Sequence, residues 1–93
     1  MSETAQKFTY KDRPLVRCGD EMYYGSMEDK FIIYMKITSY LTLGDIKVPS
    51  RIEIQLQYTD PDIKGNNKIV RSGDRDSISK AFVLADAWLS RSN

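Results

Sequence analysis

Six tyrosines in 93 residues, Tyr10, Tyr23, Tyr24, Tyr34, Tyr40 and Tyr58, are the side chains here best suited to recognising another molecule. A tyrosine ring can stack on a nucleobase, and it can equally fill a protein interface, where tyrosine and arginine are enriched. Tyrosine is also simply a good strand residue, its ring packed and its hydroxyl in water. Tyr23 and Tyr24 are adjacent, so in a strand one points in and the other out. A face combining Tyr24, Ile32, Tyr34, Lys36 and Arg51 would offer rings, apolar surface and positive charge together. That set is the candidate binding or interface face.

Other chemistry is largely excluded. The chain has no histidine. Serine and cysteine catalysis through a histidine base, histidine acid–base chemistry and the usual mononuclear zinc sites are therefore removed. One cysteine cannot hold an iron–sulfur cluster within a chain. No Gly-rich phosphate loop or dinucleotide fingerprint is present, so no cofactor is expected. Cys18 has Arg17 beside it, which favours a thiolate, but Asp20 opposes it, and a lone strand cysteine reads as a small apolar residue. Asp60-Pro61-Asp62-Ile63-Lys64-Gly65 imitates the start of a calcium loop. Lys64 stands where an oxygen ligand belongs and Arg71 where a bidentate glutamate is needed, so the segment reads as a turn. Most carboxylates lie in turns. Glu53 is mid-strand between Arg51 and Gln55 on a wet face, where cross-strand pairing explains it. No catalytic pair emerges, and the chain reads as a non-enzyme.

The elements that position these residues are better defined. Arg51 to Tyr58 alternates polar and apolar without a break. Ile52, Ile54, Leu56 and Tyr58 then share one face of a strand, and the opposite face is wet, which favours antiparallel pairing. Lys30 to Tyr40 is a second long strand, with Phe31, Ile33, Met35 and Ile37 towards the core and Ile32, Tyr34 and Lys36 away from it. Shorter extended pieces fall at Lys7–Tyr10, Leu15–Cys18 and Met22–Gly25, with Gly19-Asp20 suiting a type II′ hairpin turn. Leu43-Gly44-Asp45 turns the chain, Pro49 marks an edge or bulge, and Ile69–Arg71 can add a short strand. Ile78, Ala81, Phe82, Ala85, Trp88 and Leu89 recur at helical spacing, which predicts an amphipathic helix from about Arg75 to Ser90 capped by Asp74 or Asp76. The expected fold is α+β: a curled antiparallel meander of four to five strands, followed by one C-terminal helix on one face. Residues 1–6 are expected to be a disordered tip and residues 7–93 a single domain. The β-β-β-β-α order resembles the repeat unit of single-stranded nucleic-acid binders of the Whirly and Pur type, a likeness of topology only.

Composition narrows the partners. Fourteen basic and thirteen acidic residues leave a net charge of +1. Nothing in that balance calls for nucleic acid or an anionic membrane, and it gives little protection against self-association. The lone cysteine, the polar N-terminus and the lack of a long apolar run point to the cytoplasm and to no membrane partner. The expected function is a non-enzymatic interaction or accessory module that forms a homodimer or binds another protein through the open sheet face. The alternative is single-stranded nucleic-acid binding by the same face.

Overall fold

Alternation along each strand, and not the loops between them, decides which residues meet. In the computed structural model, residues 6–92 are described. They form β1 (Gln6–Tyr10), β2 (Arg13–Cys18), β3 (Glu21–Tyr24), β4 (Phe31–Leu43), β5 (Ile46–Tyr58), β6 (Ile69–Arg75) and α1 (Ile78–Ser92). All strands are antiparallel to their neighbours, and the order across the open sheet is the order along the chain. The expected α+β meander with a C-terminal helix is therefore present, with six strands where four to five were expected. Of the expected disordered tip, residues 1–5 lie outside the described residues, and Gln6 is the first residue of β1.

Cross-strand register builds the core in rows. Leu15, Tyr24, Ile33, Leu56 and Arg71 are opposite one another in turn, and so are Arg17, Met22, Met35, Ile54 and Gly73. Period-two side-chain direction puts both rows on the same face. The helix covers that face with Ala81, Ala85, Trp88 and Leu89, all buried. Alanines one turn apart leave room for the helix to lie close to the sheet. At Gly73, a Cβ would sit 3.4 Å from the Trp88 indole, so the missing side chain makes room for the ring. The Arg71 guanidinium lies 5.6 Å from the centre of that ring, within reach of its π cloud.

Turn chemistry matches the register. Gly19 has φ 62°, as the first central residue of a II′ turn requires, while Lys11 and Asp12 carry φ 49° and 66° in the β1–β2 turn. Pro49, opposite Tyr40, stands next to the register shifts of the β4–β5 ladder, as expected for a residue without an N–H donor. Two expectations at the helix start are corrected. Strand β6 runs on to Arg75, which places Asp74 in the sheet, and the helix begins at Ile78. The cap is Ser77: its hydroxyl accepts the Lys80 N–H at 3.3 Å, and its carbonyl accepts the Ala81 N–H at 3.0 Å. Asp76 instead pairs with Lys80 at 3.2 Å, one turn on, which holds its carboxyl below the usual range.

A polar clasp ties the first hairpin to the helix. The Arg13 guanidinium donates to Asp86 Oδ1 at 2.6 Å, and the Tyr24 hydroxyl lies 3.1 Å from the same oxygen and 3.0 Å from the Tyr10 carbonyl. Burial, more than any neighbour, raises the Tyr24 pKa above its ordinary value near 10. Neutral tyrosine is thus favoured in the fold, and its contribution is complete below pH 10 and lost as pH climbs through the raised value. Tyr40, bonded to Asp20, and Tyr34, desolvated beside Glu21, are shifted the same way. Stability to urea should be level from pH 7 to 9 and fall above about pH 10. The fall should be shallower in Tyr24→Phe, and an identical slope in the two proteins would remove Tyr24 from the effect.

Candidate functional site

The five residues expected on one exposed face do not stay together. Tyr24 is fully buried on the helix side, because it is opposite Ile33 and shares the phase of Met22. Its neighbour Tyr23 takes the outward position instead, opposite Tyr34, with ring centres 5.2 Å apart. Ile32 does lie on the helix-free side, opposite Gln57, but both are buried, at 4% and 8% exposure. Tyr34 and Lys36 are on the helix-free side as expected, Tyr34 half-buried and Lys36 exposed. Arg51 is exposed and pairs with Asp74 at 3.3 Å.

This face is a polar ladder more than a sticky one. The Tyr34 hydroxyl donates to Glu21. Gln55 Nε2 donates to Glu53 at 2.7 Å, and Gln57 Nε2 donates to Gln55 at 2.8 Å. Lys36 stands between Glu21 and Glu53 in cross-strand register. The two candidate cations therefore sit among three carboxylates, which offset their field locally.

One end of the face is concave. The connection after β3 and the segment from Thr59 to Lys68 line, together with the sheet, an open groove of about 600 Å³. Val16, Tyr23, Ile32 and Gln57 line it from the sheet, and Met27 and Ile63 from the connections. Asp60 and Asp62 lie at this end as a turn, with the Asp62 N–H bonded to Asp60 Oδ1 at 2.9 Å. Among the described residues, no three carboxylate or thiol side chains converge as metal ligands. Cys18 is exposed at the end of β2.

The second notable surface was missed by the sequence reading. Strand β3 pairs with β4 only at residues 33–36, and β6 with β5 only at residues 52–57. Beyond these limits β4 and β5 have only each other as strand partners, tied to the β2–β3 turn by Ile37 and Tyr40 through Asp20, and they project as a two-stranded arm in a molecule of 44 × 30 × 28 Å. Leu41 is opposite Val48, and Leu43 is opposite Ile46, so all four share one face of the arm. They are 59%, 38%, 61% and 65% exposed, in that order. The signal was present in the apolar alternation on both sides of Gly44-Asp45. The missing information was how far the flanking strands reach.

No protein-family model, curated protein or solved structure matches this chain. Among the described residues, no helix is long and apolar enough to cross a membrane. The class is that of an open antiparallel α+β sheet with a single C-terminal helix on one face.

Proposed function

We propose that this protein is a non-enzymatic, self-associating interaction module, and that the β4–β5 arm is its contact surface. The observation that carries the reading is the stripe of Leu41, Leu43, Ile46 and Val48 on a ribbon that, among the described residues, has no third strand beside it. A two-stranded hairpin is marginal by itself in water, so an arm with an apolar face gains from being covered. A second copy suits it. A two-fold axis lays the stripe on its own twin, which makes the contact self-complementary. With a net charge of +1, repulsion between copies is weak. The contact surface first expected, around Ile32 and Tyr34, is less suited, since Ile32 is buried and Tyr34 is bonded to Glu21.

Sedimentation over a concentration series tests the reading. The wild type should be dimeric at high micromolar concentration. The double variant Leu41→Glu/Ile46→Glu should be monomeric there, at least about a hundredfold weaker in association. Circular dichroism should be unchanged, because neither side chain touches the core. A monomeric wild type would overturn the proposal, as would a variant that dimerises as well.

Single-stranded nucleic-acid binding is the second reading, favoured by the Tyr23–Tyr34 ring pair on the helix-free side. The carboxylates beside Lys36 and Arg51 weigh against it, since backbone binding needs unmatched cations. Binding to mixed oligonucleotides that weakens steeply with salt would reverse the order of the two readings.

A further inference from the structure

We infer that the groove at the end of the helix-free face is a binding site for a small amphipathic carboxylic acid, one anionic head on an aliphatic or aromatic body. Its volume of about 600 Å³ is in the range of small-molecule sites. Val16, Ile32, Met27 and Ile63 supply an apolar lining. Met27, two-thirds exposed on a connection, is a flexible wall that can adapt to the shape of the guest.

The polar groups of the groove define the head. Lys64 and Lys68 both line it, at the start and end of the short 3-10 turn that Gly65–Lys68 forms before β6. Neither belongs to an ion pair among the described residues, unlike Lys80, Arg13 and Arg51. Asp60 is the acidic group facing them, and its Oδ1 is occupied by the Asp62 N–H at 2.9 Å. The groove's own lining therefore carries two lysines against one carboxylate, with Glu28, Asp29 and Lys30 in the adjoining hollow that shares Thr59, Asp60 and Ile63. Gln57 is a polar side chain more than nine-tenths buried on the groove wall, held in place by its donation to Gln55 at 2.8 Å. Tyr23 adds a half-exposed ring against which a flat body can lie. An apolar lining with cations at one side matches an anionic amphiphile. A neutral ligand would leave the lysines without a role, and a bare anion would leave the lining without one.

The test uses the full chain and 11-(dansylamino)undecanoic acid, with its methyl ester as the uncharged counterpart. Dansyl emission should report saturable binding of the acid, and the ester should bind at least about tenfold more weakly. Lys64→Glu/Lys68→Glu should weaken the acid by at least about tenfold and leave the ester unaffected. Lys47→Glu, on the arm, should change neither. The Leu41→Glu/Ile46→Glu variant should still bind the acid, which separates this site from the association surface. Equal binding of acid and ester, equal loss in Lys47→Glu, or no saturable binding would overturn the inference. So would co-sedimentation with phosphatidylglycerol vesicles in the absence of binding to the free acid.

Discussion

Replacing Trp88 by alanine should remove about 3–5 kcal/mol of stability. The indole is buried where the last turns of α1 cross β6, over the bare backbone of Gly73 and beside Arg71. Three losses then coincide. The ring's apolar burial goes, a cavity is left above Gly73, and the Arg71 guanidinium loses the ring it faces. Directly beneath the ring, position 73 has no side chain that could refill the space. Trp88→Phe keeps a ring in place and should lose markedly less. Urea unfolding followed by circular dichroism gives both values. A Trp88→Ala loss below about 1 kcal/mol would mean that the indole does not anchor the helix.

The second large effect is expected at Gly25, from a different cause. Its φ of 113° lies in a region that L side chains rarely adopt, and its N–H donates to the Pro14 carbonyl at 2.9 Å. A Cβ there would also stand 3.1 Å from Leu89 Cδ1, which is closer than such contacts normally come. Backbone strain alone costs about 1–3 kcal/mol at such positions, and Gly25→Ala should lose at least that much. The leucine is the more yielding partner, since a methyl at the end of a side chain can shift by a few tenths of an ångström. A double-mutant cycle with Leu89→Ala separates the two contributions. Most of the Gly25→Ala cost should persist when Leu89 is already truncated. A Gly25→Ala protein as stable as the wild type would place the strain argument in error.

The parts of the fold legible in the sequence were those with one wet and one buried face. Ile52, Ile54 and Leu56 alternate because the helix covers one side of β5, and the stripe from Ile78 to Leu89 repeats because the sheet covers one side of α1. Both patterns are local consequences of burial. Phase was harder where both alternatives were aromatic. Tyr23 and Tyr24 are equivalent by composition, and only the phase shared with Met22 sends Tyr24 into the core. The helix cap was misplaced for a similar reason. Asp74, Asp76 and Ser77 are all competent, and the length of β6 decides among them.

The candidate surfaces were least legible, since each depends on where a neighbour stops. The arm exists because β3 has only four residues against thirteen in β4. The groove exists because the segment from Thr59 to Lys68 comes to line the same hollow as Ile32. Asp86 falls off the apolar stripe of α1, and its bond to Arg13 bridges 73 positions of sequence. No periodicity records a contact of that kind.

A sheet whose spatial order repeats its chain order also has a kinetic meaning. Each strand needs only its immediate predecessor, so every closure joins residues separated by a short connection and the entropy lost at each step is small. A chain leaving the ribosome could zip this sheet one hairpin at a time, with no strand held waiting for a distant partner. The helix arrives last and touches the earliest hairpin through Arg13 and Asp86. Its docking is the step that joins the two ends of the molecule, and it closes a far longer loop than any pairing of neighbouring strands.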